Sequence, residues 1–451
     1  MARDYTRRGF LGLAARTGAG LALGAPLLAG AGCTSGDTGS PGSGPVQLVY
    51  QDWRTEWFPP MAQEQLAAFH AEHADIRVFY TPDPEDFVEK MLADMRGGTA
   101  PDIFQGCCAH FPAWAQKGYT LDLRPYVARD MDQETIADWD PAQYASFFSS
   151  DGLQFGLPKY HGALAVYYNK DLFDLYQVPY PAPSWTHDDY LATMKVLTRD
   201  LDGDGATDLW GSMLDISWDR VQVHVNGWGG SFVDPNDPRH SLISAPESLA
   251  AIEWLRARMW DDQVMARPQD VQNLSTRDAF ASGLVAMVED GSWALKDILE
   301  KSGFRVGVAP FPGGPARRVT LSTTDGFGIY SGTRHPEAAW ELMKFLVSPA
   351  YGRAMAKASF LQPARGSLVS EWVGFVREEF PDRVDDVDLN VFAEGHRQGY
   401  SVTAEVFAAG MDEIAPIAAA AFERILTLGQ ASVDSMSEAS AQIAAVLARS
   451  S

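Results

Sequence analysis

Cysteine is nearly absent: 451 residues carry three, Cys33, Cys107 and Cys108. Two of these are adjacent, and vicinal residues bridge only with strain, so no disulfide framework holds this chain. Positive charge is also scarce, with 36 Lys and Arg against 59 Asp and Glu and a formal net charge of −23. The amino-terminal stretch keeps Arg3, Arg7, Arg8 and Arg16 against Asp4 alone, so the remainder is more acidic still. That balance argues against nucleic acid or an anionic membrane surface as a partner and favours solubility outside the cell. Beyond the first 33 residues no stretch reaches the roughly 18 uninterrupted apolar residues that a membrane helix needs. No Gly-x-Ser-x-Gly elbow, His-Glu-x-x-His pair, phosphate loop or fixed-period repeat is present.

A hydrophobic content of 46% with 21% charged residues marks a globular chain, and its length suits two or three domains. Residues 1–33 read as an export signal. Thr6-Arg7-Arg8-Gly9-Phe10-Leu11 resembles the twin-arginine consensus, and the Gly/Ala/Leu run that follows ends in Gly30-Ala31-Gly32-Cys33, which resembles a lipoprotein signal with Gly30 in the place usually held by Leu. Acylation of Cys33 would tie the protein to the outer face of the cytoplasmic membrane, at ~0.8 kcal/mol per buried methylene. The alternative is a soluble exported protein. Residues 34–45 are rich in Gly, Ser and Pro and read as a flexible tether.

From Val46 onward, strands and helices alternate: strand Val46–Tyr50, helix Pro60–His73, strand Ile76–Tyr80, helix Pro84–Met95, then a glycine turn into Ile103-Phe104. Such alternation predicts a parallel or mixed sheet covered by helices. Ligands of such sheets bind beyond the carboxyl ends of the strands, which places Trp53 with its neighbour Arg54, Asp83 and Cys107–His110 around one crevice. The stretch Asp151–Asp174 reads as a hinge. A strand ends at Leu157-Pro158, a polar joint of Lys159, Tyr160 and His161 follows, and the continuous apolar run Ala163–Tyr168 suits a strand buried on both faces, with Asp171 as the cap of the next helix. Further breaks fall at 316–322 and 361–367. Everything from Glu371 on reads mainly as helix.

Asp200, Asp202, Asp204 and Asp208 with Gly205 resemble a calcium loop, although Gly211 occupies the position of the usual bidentate carboxylate. The two readings are a structural calcium and an Asx/Gly turn. No other cofactor is called for.

Taken in order, Gly98…Pro101-Asp102-Ile103, Gly152…Tyr167-Tyr168-Asn169-Lys170-Asp171-Leu172-Phe173, Trp185, Asp202-Gly203-Asp204-Gly205, Gly229-Gly230, Phe280…Gly283…Ala286-Met287…Gly291-Ser292-Trp293 and Ala338-Ala339-Trp340…Phe345-Leu346 resemble the extracellular solute-binding proteins of carbohydrate-uptake ABC transporters, the group that includes maltodextrin-binding proteins. The resemblance implies an α/β, type II periplasmic-binding-protein fold: two α/β lobes joined by a three-crossover hinge. Lobe 1 would take 46–158 plus 320–362, and lobe 2 would take 159–319 plus 363–451. It implies a monomer that captures a sugar or oligosaccharide by cleft closure and delivers it to permease subunits, with no enzymatic activity. It also places Cys107, Cys108 and His110, Trp218-Asp219, Trp293 and the crossover pair Tyr160-His161 near the ligand. Those relatives often carry carboxylate, Arg or Trp where Cys107-Cys108-Ala109 stands, which weighs against maltodextrin specifically.

Sugars present hydroxyls that want paired donors and acceptors and C–H faces that want a flat apolar surface. Trp53, Trp218, Trp228 and Trp293 could supply the surface; Asp83, Asp219, Asp290 and Asp325 the acceptors; Arg54, His110, His161 and Arg365 the donors. Against each stands an ordinary core, capping or ion-pair role. Polyamine or glycerol-phosphate as solute, and a glycosidase built on scattered carboxylates, are the competing functions. Tyr160→Ala is expected to weaken solute binding with little loss of folding stability.

Overall fold

The structure, a computed structural model, describes residues 44–449 apart from 109, 150, 385–386 and 408–409. The export signal, Cys33 and all but the last residues of the tether lie outside the described residues.

Two five-stranded sheets organise the chain. In the first, β1 (Val46–Asp52) pairs in parallel with β2 (Ile76–Pro82) along its whole length and with β3 (Ile103–Gly106). The order is β2-β1-β3-β11-β4, with β4 at Leu157–Pro158 and β11 at Gly326–Ile329 running antiparallel to its neighbours. The second sheet has the order β7-β6-β8-β5-β9, made from β5 (Leu164–Asn169), β6 (Ser212–Leu214), β7 (Met265–Ala266), β8 (Met287–Gly291) and β9 (Val306–Pro310). Here β6, β7 and β8 are parallel, and β5 is antiparallel to both β8 and β9. Each sheet therefore has its reversed strand in fourth place, and each reversed strand is the one by which the chain enters from the other sheet.

Burial follows the residue pattern. Ile103 and Phe104 go to cores on opposite faces of the first sheet. In β5 all six residues are buried, with Val166 and Tyr168 in one core and Ala165 and Tyr167 in the other. A strand covered by helices on both faces has no polar side, which is why its sequence is a run and not an alternation.

The chain crosses between the sheets after β4, after the short β10 (Thr320–Ser322), and between helices Pro349–Ser359 and Val369–Glu379. Bridges Ala163 to Ser322 and Tyr160 to Pro363 tie the three crossings together. Two local expectations are corrected. Asn169, not Asp171, caps helix Lys170–Leu175, because its side chain reaches the backbone N–H groups of Asp171 and Leu172. The mainly helical carboxyl-terminal part contains β12 (Ser401–Thr403), which pairs in parallel with β10; three residues are too few to carry a period. Among the described residues no helix is long and apolar enough to cross a membrane.

Candidate functional site

The carboxyl ends of β1, β2, β3 and β4 point to one rim of the first sheet, and the antiparallel β11 brings its amino end to the same rim. Chain direction alone thus gathers Trp53, Asp83, Cys107, Lys159-Tyr160 and Asp325. Opposite them, β8 delivers Trp293 just past its carboxyl end, and a short 3₁₀ turn leads into helix Leu295–Lys301. Between the two rims lies a cleft of about 830 Å³ lined by Trp53, Thr55, Glu56, Trp57, Tyr160 and Asp325 on one side and Arg277, Trp293, Lys296, Asp297 and Glu300 on the other, with Ser359 and Leu361 from the third crossing.

On the first rim Tyr160 and Trp57 each stand edge-on to Trp53, at 5.5 and 5.9 Å between ring centroids. Beneath the Trp53 ring, 3.2 Å from its centroid, sits the Lys159 ammonium, fully buried and paired with Asp52. Asp52 also accepts from the Tyr50 hydroxyl and the Trp53 backbone N–H. Burial lowers the Lys159 pKa and the Asp52 charge opposes that shift. This cation holds a carboxylate and an indole in place, and it is not presented to solvent.

On the second rim Trp293 lies against two glycines. A Cβ on Gly162 would come within 2.6 Å of the indole, and one on Gly291 would overlap the ring outright. The Arg220 guanidinium lies 4.9 Å from the indole centroid. Asp290 holds Arg220 at 3.4 Å and Arg277 at 2.7 Å.

Burial pushes the Asp325 carboxyl up to about 6, with Lys159 and a hydrogen bond from Tyr160 pulling the other way. Burial and the neighbouring Asp52 push Asp83 to about 6 as well. An acid whose folded pKa exceeds its unfolded value binds more protons when folded, so it favours folding at low pH and loses that advantage as pH rises from about 4 through 6. Asp325→Asn is therefore expected to be as stable as the parent near pH 4 and more stable at pH 7, by up to about 3 kcal/mol; chemical denaturation at the two pH values measures this.

Of the residues anticipated from sequence, Trp53, Tyr160, Trp293 and Asp325 line the cleft. Asp83 is buried behind the rim, accepting from Gln51 and Gln105. Cys108 is exposed beside Thr324, and His110, packed 4.7 Å from Trp114, is lowered to about 4 by burial and so stays neutral. Arg54 pairs with Glu85 in solvent.

The others are placed elsewhere, each for a visible reason. Trp218 donates to the Glu405 carbonyl and packs on Phe232, and Asp219 accepts from the Ser217 hydroxyl at the start of the same helix. Trp228, half-buried, packs edge-on to His187 and against Trp254 on the core of the second sheet. Asp290 is consumed by its two arginines. Arg365 is buried over Trp139, donating to the Val347 and Thr135 carbonyls. His161 is buried in the hinge, where Asp140, Ser322 and Gln362 occupy both ring nitrogens. Burial works against the Asp140 charge, but hydrogen bonds with His161 and His396 hold its carboxyl far below the usual range. Tyr160 is only 5% exposed, so its truncation to alanine would cost folding as well as binding, contrary to the sequence-based expectation.

Trp57 and the polar face Lys296, Asp297 and Glu300 were not anticipated as site residues. The i, i+4 pair Lys296–Glu300 directly after Trp293 was the available signal. In the acidic loop, Asp200, Asp202 and Asp208 bring carboxylate oxygens within 4.8 Å of one another. Asp200 accepts from the Gly203 and Gly205 backbone, Asp204 from Ala206 and Asp208 from Leu201, so backbone N–H groups of the loop itself bind these carboxylates.

Residues 52–353 match the model of the bacterial extracellular solute-binding protein family. A binding protein of Brucella abortus (strain 2308) is 26% identical over 339 residues, 73% of this chain and 76% of that one. An ABC substrate-binding protein of Listeria monocytogenes in complex with cycloalternan superposes with a TM-score of 0.75 at 23% identity, covering 90% of this chain and 98% of the other. A cyclic α-maltosyl-1,6-maltose binding protein of Arthrobacter globiformis gives 0.71 at 21%, covering 90% and 99%. Two sheets with crossing connections, a cleft between their rims and a family match over two thirds of the chain lead to one conclusion: this protein belongs to the bacterial extracellular solute-binding proteins.

Proposed function

We propose that the protein binds an oligosaccharide in the cleft between its two sheets and hands it to the permease subunits of an ABC importer. The observation that carries this reading is the pairing of indoles on facing walls, Trp53 and Trp57 with Tyr160 and Asp325 on one side and Trp293 on the other. Aromatic faces suit the C–H faces of pyranose rings, and a buried tyrosine–carboxylate pair suits their hydroxyls. The solved structures with cycloalternan and with a cyclic maltosyl-maltose binding function support the same ligand class. Glycerol-phosphate fits less well, because the cleft-lining cations Arg277 and Lys296 already pair with Asp290 and Glu300, and Lys159 behind the wall with Asp52. Glu56, Asp297 and Glu300 on the cleft wall are what a polyamine would use, and the same titration tests it.

The test is calorimetric titration with maltotriose, cycloalternan and spermidine, with chromatography of the recovered sugar. Stoichiometric binding of an intact oligosaccharide supports the reading; hydrolysis of the sugar, or binding of spermidine alone, sinks it.

Capture would proceed by closure. Solute held on one wall gains contacts from the other, and the closed state is favoured by that difference in affinity. Saturating sugar is expected to reduce the radius of gyration in small-angle scattering; identical curves with and without a bound sugar would refute closure. Export through the amino-terminal signal, with acylation of Cys33, belongs to the same proposal. Its check is whether a Cys33→Ser variant leaves the membrane fraction.

A further inference from the structure

Cys107 and Cys108 follow β3 directly, at the rim of the first sheet beside the cleft. The Cys108 backbone N–H donates to the hydroxyl of Thr324, the neighbour of the cleft-lining Asp325. The two sulfurs stand 2.6 Å apart, inside their van der Waals contact and about half an ångström longer than a disulfide bond. Cys108 has φ of +55°, a region that few side chains other than Asn and Asp adopt and that costs on the order of 1 kcal/mol. The backbone is thus already bent where two adjacent thiols must turn toward each other. Cys108 is exposed and Cys107 half-buried, so a reagent reaches one thiol first and the second lies behind it.

We propose that Cys107 and Cys108 form a reversible vicinal disulfide at the rim of the first sheet, beside the solute cleft. The oxidant is another disulfide, of the kind available to an exported protein. The Cys108 thiolate attacks one sulfur of that disulfide, forming a mixed disulfide and releasing a thiol. The Cys107 thiolate then attacks the Cys108 sulfur, closing the ring and releasing the second thiol. One disulfide and two thiols are consumed, one disulfide and two thiols are produced, and the two cysteine protons end on the released thiols. Consecutive Cα atoms lie about 3.8 Å apart, shorter than the roughly 4.4–6.8 Å of ordinary disulfides. The ring is therefore strained, and strained, exposed disulfides are the easily reduced ones. That separates this site from a structural bridge and makes it a switch. Its effect on sugar affinity and its oxidant in the cell rest on the proposed function; ring closure by a supplied disulfide does not.

The experiment uses the full chain. Protein is equilibrated with oxidised glutathione, blocked with iodoacetamide and digested, and the peptide carrying both cysteines is weighed. The expected peptide is lighter than the dithiol by two hydrogens, carries no alkyl group, and gains two after mild reduction. Two alkyl groups without prior reduction, stable glutathione adducts, or a cross-link to Cys33 would each overturn the proposal. As a second measurement, Cys107→Ser and Cys108→Ser must each leave one thiol that alkylates completely or retains glutathione; an unalkylated, adduct-free thiol in either variant would overturn it as well.

Discussion

Replacement of Trp293 by alanine is expected to weaken oligosaccharide binding by about 30- to 1,000-fold, the range set by 2–4 kcal/mol for truncating a central aromatic anchor. The indole lies at the carboxyl end of β8 on the cleft wall facing Trp53, and it packs partly against the cores of both sheets. Its orientation comes from absence below it: Gly162 and Gly291 have no Cβ to lift the ring. Gly162→Ala is accordingly expected to lower affinity without removing any ligand contact, because its Cβ would meet Thr323 at 2.5 Å and the indole at 2.6 Å. Trp228→Phe is the control. Trp228 packs with His187 and Trp254 against the core of the second sheet, away from the cleft lining, and its replacement should leave the dissociation constant within twofold. Calorimetric titration of the three folded variants decides the matter; an unchanged dissociation constant for Trp293→Ala would remove the indole from the site.

The second large effect concerns stability. Lys159→Met is expected to destabilise the protein by about 3–5 kcal/mol, the cost of leaving one member of a buried ion pair without its partner. Both side chains are fully inaccessible, and the methionine cannot supply charge to Asp52, which would then sit beneath Trp53 with only the Tyr50 hydroxyl and the Trp53 N–H as donors. Removing both charges in Asp52→Asn with Lys159→Met should recover most of the loss, because two neutral groups need no compensation. Urea unfolding measures all three proteins. A loss below 1 kcal/mol in the single variant would show that the pair contributes little. Since the ammonium lies under the Trp53 ring, sugar affinity should fall less than stability does.

These two residues also show where sequence reading worked and where it stopped. Trp293 was legible because β8, Met287–Gly291, is a short buried run that ends in Gly291 and is followed by Ser292-Trp293, and a strand's carboxyl end is a place where such folds bind ligands. Lys159 was legible as part of a polar joint but not as a buried cation, because its partner lies 107 positions away and nothing local records that pairing. Trp228 and Arg365 carried the same residue-type signal as Trp53 and Arg277, yet one packs against a core and the other braces the hinge. Residue type says what a side chain can do, and only its neighbours say whether it is free to do it.

Segment by segment, the sequence by itself determined that strands and helices alternate, that β5 is covered on both faces, and that the chain turns at 157–163, since these depend on local pattern and on proline and glycine. Tertiary structure decided which rim each strand end reaches, which carboxylates are consumed by arginines, and which indoles face the cleft. Those outcomes depend on strand order and direction, and the reversed β11 and β5 bring together residues far apart in sequence. The site was therefore half visible in the chain: its chemistry was written in the residues, and its membership was settled only when the two sheets met.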